Sequence, residues 1–249
     1  MKHGPLFRSC ASAMVLAVSL STAAMAQTAP TRWRVTVTRV KPEMQNEWID
    51  LQKNEVVPAL KKGGVANRTV YATGLFGNAF EYIIVQPMGK FAEFDSPGAQ
   101  AKALGPQANA RLAEKLRRCV EATNSFMATR VDDLSNLTSD AANAPVVGYL
   151  RLRVAPGKMQ EVRNMIKAEV TPIFKKQQVG LTVAQRGMGA NANDLSFSTA
   201  YAKFADLDSG GPIMKELGAE GNAKLVAKFN GLVTVIENNV RNRIADLSF

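Results

Sequence analysis

The segment Glu55-Val-Val-Pro-Ala-Leu-Lys-Lys62 returns later in the chain as Glu169-Val-Thr-Pro-Ile-Phe-Lys-Lys176, 114 positions further on. Other short segments recur in the same order at separations of 113 to 115: Met44-Gln45 as Met159-Gln160, Lys90–Asp95 as Lys203–Asp208, and Asp133-Leu-Ser135 as Asp246-Leu-Ser248. Self-similarity at one fixed period is the signature of a duplicated structural unit. We therefore predict repeat 1 at residues 32–135 and repeat 2 at 146–249, joined by a polar linker at 136–145.

Each repeat shows the same succession of patterns: strand, helix, strand, strand, helix, strand. Alternating apolar residues predict strands at Trp33–Val40, Arg68–Thr73, Phe80–Gln86 and Ser125–Val131, and at Val147–Val154, Leu181–Gln185, Asp194–Tyr201 and Asn238–Ile244. Apolar residues at helical spacing predict a helix from about Glu43 and another over roughly Gln107–Ala122, with counterparts in repeat 2. Pro58 and Pro172 should kink or end the first helix of each repeat, because proline lacks a backbone donor.

A βαββαβ order is that of the ferredoxin-like unit, in which one four-stranded sheet carries both helices on the same face. The other face is bare and has to be covered. We predict an α+β fold in which two tandem ferredoxin-like units pack their antiparallel sheets face to face as an α/β barrel. The element order, the repeat length and the Glu-x-x-Pro helix resemble the dimeric α/β-barrel superfamily, with its antibiotic-biosynthesis-monooxygenase-like and NIPSNAP-like families, over both repeats.

The amino terminus has the features of a signal peptide. Lys2 and Arg8 precede an apolar stretch from Ala11 to Leu20, and Ala24-Met-Ala26 matches a cleavage site. The stretch is too short for an ordinary transmembrane helix, which needs about 20 residues. We predict a signal peptide at residues 1–26, a periplasmic or secreted mature chain and no transmembrane anchor after cleavage. The alternative is a buried amino-terminal helix.

The composition excludes several classes of site. Without Lys2 and Arg8 the charge falls from +10 to +8, spread along the chain without a basic block, so we expect no nucleic-acid partner. Cys119 is the only cysteine after the leader, so no intramolecular disulfide can form. The single histidine is His3, which removes imidazole bases and His-ligated metal or haem sites from the mature chain. We expect no metal and no cofactor.

Strand alternation assigns one face of each sheet to the barrel interior, and the face from repeat 2 is the more polar and basic one. The candidate ligand-binding residues are Tyr149, Arg151, Arg153, Asp194, Arg241 and Arg243, with Glu81 and Arg130 from repeat 1. The same alternation assigns to the lining Thr36, Thr38, Ile83, Val85, Ala128, Ser196 and Ser198. Arginines there suit an anionic ligand. Alternatively, Glu81 pairs with Arg130 and Asp194 with Arg243 to hold the sheets in register, or this face is exposed at the barrel mouth.

Two functional hypotheses follow. The first is an exported envelope protein without catalysis, structural or binding a small anionic or polar ligand in a basic cavity between the sheets. The second, implied by the resemblance, is a cofactor-independent monooxygenase-like or isomerase-like enzyme that uses Tyr149, Arg153, Asp194 and Arg243. Asp194 would act as a base only if burial raised its pKa. Oligomerisation, including exchange of repeats between chains, is compatible with either hypothesis.

Overall fold

The computed structural model describes Met1, residues 31–139 and residues 141–249. The predicted leader, apart from Met1, and its cleavage site after Ala26 lie outside the described residues. The strands are β1 Arg32–Val40, β2 Thr69–Phe76, β3 Glu81–Pro87, β4 Val120–Arg130, β5 Val146–Val154, β6 Leu181–Arg186, β7 Asp194–Tyr201 and β8 Val233–Arg243. All of their pairings are antiparallel, and they close a barrel in the order β1-β3-β2-β8-β5-β7-β6-β4.

The barrel consists of two ferredoxin-like sheets joined along both edges. Repeat 1 contributes the order β4-β1-β3-β2 and repeat 2 the order β8-β5-β7-β6. One seam pairs β2 with β8, with Tyr71 opposite Arg243, and the other pairs β4 with β6, with Ala128 opposite Arg186. The seams pair strand edges that would otherwise expose backbone hydrogen-bonding groups. The predicted fold class, two βαββαβ units enclosing a common interior, is confirmed.

The carboxyl-terminal tail of each repeat crosses to the other repeat. The hydroxyl of Ser135 accepts a hydrogen bond from the backbone N–H of Val183 at 3.0 Å, and that of Ser248 accepts one from Val70 at 3.0 Å. These two contacts lie at matching positions of the repeats. The linker predicted from residue 136 begins in such a tail, because Asn136 forms an isolated bridge with Leu181.

The helices lie on the outer faces of both sheets. They are α1 Gln45–Leu51, α2 Val57–Lys62, α3 Ala99–Leu104, α4 Pro106–Cys119, α5 Met159–Met165, α6 Thr171–Lys176 and α7 Gly211–Lys228. π-helical segments at Gln52–Val56 and Ile166–Val170 join α1 to α2 and α5 to α6. Pro58 and Pro172 interrupt the regular α-helix but do not end it, because each occupies the first turn of the next helix, where a missing N–H is tolerated.

The last strand of each repeat begins earlier than the sequence pattern indicated. β4 begins at Val120, inside the helix predicted over Gln107–Ala122, and β8 begins at Val233, five residues before the predicted start at Asn238. The first half of β4 is exposed and carries no apolar alternation to mark it as a strand. The predicted helix end at Ala122 and strand starts at Ser125 and Asn238 were therefore wrong.

Three apolar clusters stabilise the barrel. One packs between the sheet and the helices of repeat 1 around Trp48, whose ring lies 4.4 Å from that of Tyr82. A second does the same in repeat 2 around Ile166 and Leu195. The third lies inside the barrel and includes Ile83. In the part of the chain that the structure describes, no helix combines the length and apolar character needed to cross a membrane.

Candidate functional site

A cavity of about 460 Å³ lies in the barrel interior. All eight strands contribute to its wall, and residues of the linker, including Leu137 and Asn143, line it together with the carboxyl-terminal Phe249. Its volume falls within the range of about 300–1,000 Å³ that is usual for sites of small organic ligands. The barrel interior is therefore large enough for a ligand.

The wall from repeat 1 is mainly apolar. Its apolar residues include Trp33, Val35, Val37, Ile83, Val85, Phe126 and Ala128, with Tyr71 at the seam, and Asn67, Thr69 and Arg130 are its polar residues. The assignment of Thr36 and Thr38 to this wall was wrong. Apolar residues are required on both faces of β1, since Val40 packs with the helices while Val35 packs inside the barrel. The apolar face of Val35 and Val37 therefore belongs to the interior.

The wall from repeat 2 is polar and basic, in agreement with the alternation along its strands. Its polar lining residues are Tyr149, Thr182, Arg186, Ser196, Ser198, Arg241 and Arg243. In β5 the apolar residues Leu152 and Val154 pack under the helices, which directs Tyr149 to the interior. A ligand in this cavity would contact hydrocarbon on one side and hydrogen-bond donors on the other.

Arg186 lines the cavity at the end that we term its floor, and it is only 7% exposed. Its guanidinium lies 4.1 Å from the ring centroid of Phe126 and donates hydrogen bonds to the Tyr149 hydroxyl at 2.5 Å and the Ser196 hydroxyl at 3.2 Å. The Tyr149 hydroxyl in turn donates to Ser196 at 3.0 Å. All of these partners are neutral, and Arg186 forms no ion pair with any of the described residues.

Arg186 was not predicted as an interior residue, because the predicted strand ended at Gln185. Extending the alternation of Thr182 and Ala184 by one step would have placed Arg186 in the interior. The strand continues because Ala128 and Thr129 of β4 pair with Arg186 and Gln185 at the seam. The alternation of residues along β6 alone does not predict this contact between the repeats.

Two further arginines line the cavity from β8. Arg241 lies 3.3 Å from the ring centroid of Tyr149 and forms an ion pair with Glu237 at 2.9 Å. Arg243 forms no ion pair with a described residue, and its buried Nε has no hydrogen-bond partner. Tyr71 lies opposite Arg243 in the pairing of β2 with β8. Burial raises the pKa of Tyr71, and the positive charges of Arg241 and Arg243 offset part of this rise.

Asp194 and Arg153 form an ion pair outside the cavity lining. The carboxylate of Asp194, whose side chain is 1% exposed, accepts hydrogen bonds from Arg153 at 2.8 and 3.2 Å, and Arg151 lies 3.6 Å away. Asp194 therefore pairs with Arg153 and Arg151 instead of Arg243, because β5 and β7 place Arg153 directly opposite it. The carboxylate of Asp194 therefore faces two guanidinium groups.

Glu81 and Arg130 lie at opposite ends of the barrel. Glu81 is opposite Arg39 in the β1–β3 ladder, whereas Arg130 lies beyond the other end of β1 and forms an ion pair with Asp132. The alternative that Glu81 pairs with Arg130 is therefore wrong, because the two residues lie beside opposite ends of β1. Among the described residues Glu81 forms no ion pair.

A second cavity of about 330 Å³ lies at the Glu81 end of the barrel. Arg151 and Glu237 also line it, and the residues that it shares with the main cavity are Val37, Phe126, Arg186 and Arg241. Of the eight candidate residues, the main cavity brings together Tyr149, Arg130, Arg241 and Arg243; the second contains Glu81, Arg151 and Arg241; and Arg153 and Asp194 line neither. The described residues include no cluster of three or more His, Cys, Asp or Glu side chains suited to a metal ion.

No protein-family model matches this chain. No curated protein matches it either. Solved structures do resemble it. A protein of Lactobacillus acidophilus NCFM described as a "putative monooxygenase" aligns with a TM-score of 0.54 at 10% identity, over 88% of this chain and 96% of that one.

A protein of the same description from Fusobacterium nucleatum aligns with a TM-score of 0.56 at 13% identity, over 87% of this chain and 92% of that one. An anthrone oxidase-like protein aligns with a TM-score of 0.57 at 9% identity, over 87% of this chain and 92% of that one. These similarities concern the fold. The chain has the dimeric α/β-barrel fold, which confirms the resemblance drawn from its sequence.

Proposed function

We propose that this chain, with its dimeric α/β-barrel fold, binds a small organic anion inside the barrel. The apolar part of the ligand would lie against Val35, Ile83 and Phe126 of repeat 1. The anionic group would face the arginines of repeat 2. Such a division of contacts is typical of small-molecule sites, where apolar walls supply affinity and a few polar groups fix orientation.

The observation that carries this proposal is the buried guanidinium of Arg186 with only neutral partners. Burying a charge without a counter-charge costs free energy, so proteins rarely retain one without a role. An anion in the cavity would supply the missing charge. Guanidinium groups bind carboxylates and similar anions through paired N–H donors, which makes Arg186 suited to this ligand class.

We also propose that the protein acts in the cell envelope or outside the cell, after removal of the leader at Ala26. The support for this is the leader sequence: two basic residues, an apolar stretch and small residues before the cleavage site. Amino-terminal sequencing of the protein purified from cell fractions tests it. A cytoplasmic chain that begins at Met1 would contradict export.

A charge-matched ligand pair tests binding. We expect 2-naphthoate to bind in titration calorimetry at least tenfold more tightly than the isosteric neutral 2-naphthamide, and to raise the melting temperature by mass action. In Arg186→Gln the preference for the anion should fall by about tenfold. Arg118→Gln, which removes an exposed arginine from the outer surface, is the control. Equal affinity for the acid and the amide, or no binding of either, would refute the proposal.

A second candidate function is catalytic: a cofactor-independent oxygenase or isomerase that uses the same cavity. It is favoured by the Arg186–Tyr149–Ser196 network, which could stabilise an anionic form of an electron-rich substrate. Two structures that align with this chain are described as "putative monooxygenase". Of the four residues first considered for this chemistry, Tyr149 and Arg243 line the cavity, whereas Arg153 and Asp194 lie outside it.

Dioxygen consumption distinguishes the two candidates. A phenolic ligand that binds in the cavity should consume oxygen only in the presence of the protein, and Arg186→Gln should abolish the enzymatic rate. Binding without oxygen consumption or isomerised product would leave the non-catalytic function. Unchanged turnover in Arg186→Gln would exclude this network as the site.

A further inference from the structure

We infer that the ligand of the main cavity carries two anionic groups, held apart at Arg186 and Arg243. This inference rests on the proposed function and adds the charge and shape of the ligand. It follows from the balance of charges around the cavity and from the positions of the two arginines in the barrel.

Four arginines line the cavity, and two of them have counter-charges. Arg241 forms an ion pair with Glu237 at 2.9 Å, and Arg130 forms one with Asp132. Arg186 and Arg243 form none with any of the described residues. Two positive charges inside the barrel therefore have no counter-charge among the described residues, and a ligand with one carboxylate at one of these arginines would leave the other without a partner.

Each of these two arginines is also short of acceptors. Arg186 is 7% exposed, and the hydrogen bonds of its guanidinium to described residues go only to two hydroxyl groups. The Nε of Arg243 is buried and has no hydrogen-bond partner. A buried donor without an acceptor costs about 1–3 kcal/mol. A ligand oxygen at each site would satisfy the donors as well as the charges.

The two arginines lie at different depths. Arg186 forms the floor, where it borders both cavities together with Arg241. Arg243 lies two residues beyond Arg241 in β8, which corresponds to about 7 Å along the strand. Its backbone N–H bonds to the carbonyl of Pro145 at 2.9 Å, next to the linker that lines the cavity. The anionic groups should therefore occupy opposite ends of the ligand, with the apolar part between them.

Three naphthalene acids test the inference, because they differ only in the number and position of their carboxylates. In calorimetric titrations at pH 7, 2,6-naphthalenedicarboxylate should bind at least tenfold more tightly than 2-naphthoate. The 2,3-isomer, whose carboxylates are adjacent, should gain less than threefold. A 2,3-isomer as tight as the 2,6-isomer would overturn the placement of the two groups.

Charge-neutralising variants test whether each of the two arginines is needed for the gain from the second carboxylate. In Arg243→Gln and in Arg186→Gln, the 2,6-dicarboxylate and 2-naphthoate should bind within about threefold of each other, while Arg118→Gln should keep the tenfold difference. The comparison in the unaltered protein needs no variant, so it decides the matter even if a variant fails to fold. If 2-naphthoate binds and the dicarboxylate gains nothing, the dianion is refuted and the proposed function stands. If neither acid binds, both are refuted.

Discussion

Arg186 donates a 2.5 Å hydrogen bond to the phenolic oxygen of Tyr149, across the strand that separates them in the barrel. The guanidinium also lies against the ring of Phe126 of repeat 1, 4.1 Å from its centroid. The floor of the cavity therefore depends on residues from both repeats. Closure of the barrel at the β4–β6 seam brings the apolar and the basic wall together at this point.

Replacement of Tyr149 by Phe should destabilise the protein by about 1–3 kcal/mol, because the buried guanidinium of Arg186 loses one of its two hydroxyl acceptors. Urea denaturation measures the loss. Tyr82→Phe is the matched control: its hydroxyl accepts a hydrogen bond from the half-buried Gln45, which can turn to water. If Tyr149→Phe costs no more than Tyr82→Phe, the floor network does not hold Arg186.

Arg68 and Gln52 form a buried polar pair in repeat 1 at positions where repeat 2 has Leu181 and Ile166. Arg68 donates to the Gln52 side chain at 2.6 Å, and burial lowers the pKa of Arg68 to about 10. Gln52→Ile should destabilise by about 1–3 kcal/mol, because a charged donor loses its partner. Adding Arg68→Leu should recover most of this loss, since an apolar pair often replaces a buried charge at no cost.

Denaturant titrations of the two variants test this prediction. The double variant reproduces the apolar pair already found in repeat 2, where Leu181 and Ile166 belong to one core cluster. A double variant less stable than Gln52→Ile alone would show that Arg68 is needed for its second contact, the carbonyl of Leu247 at 3.1 Å.

Asp194→Asn should lower the melting temperature by about 5–10 °C, because it removes a buried charge that faces Arg153 and Arg151. Binding of 2-naphthoate should change little, since Asp194 does not line the cavity. Asp246→Asn is the surface control, because its ion pair with Lys53 is exposed to solvent. Loss of ligand binding without loss of stability would instead give Asp194 a direct role in the site.

The sequence predicted the basic wall because only one assignment of the faces of β5 was consistent with its residues. Leu152 and Val154 had to pack under the helices, so Tyr149 had to face inward. β1 offered no such constraint, because the barrel interior and the helix layer of repeat 1 are both apolar. Val35 and Thr36 could be assigned to either face, and the assignment was wrong.

The alternation of residues along a single strand does not predict contacts between strands that are distant in sequence. The partner of Asp194 depends on the register of β5 against β7, which places Arg153 opposite it. The last residue of β6, Arg186, becomes part of the sheet through its pairing with Ala128 in the other repeat. Local patterns determined which residues face inward, while register and closure determined which of them meet.

Tyr71 provides a spectroscopic test of the position of Arg243. The two residues are paired across the β2–β8 seam. Burial raises the pKa of Tyr71 above its ordinary value of 10.0, and the charges of Arg241 and Arg243 oppose this rise. Arg243→Gln removes one of the opposing charges. We therefore expect the pKa of Tyr71 to rise further in this variant.

An NMR titration of the tyrosine ring carbons measures this pKa, with the Tyr71 signal assigned from Tyr71→Phe. Because the folded-state pKa lies above the unfolded one, the stability that Tyr71 contributes is fully present below pH 10 and is lost as the pH rises through the folded-state value. Stability at alkaline pH should therefore decline less steeply in Tyr71→Phe. An unchanged or lower pKa of Tyr71 in Arg243→Gln would mean that the guanidinium of Arg243 lies away from the cavity, and that it is not available to an anionic ligand there.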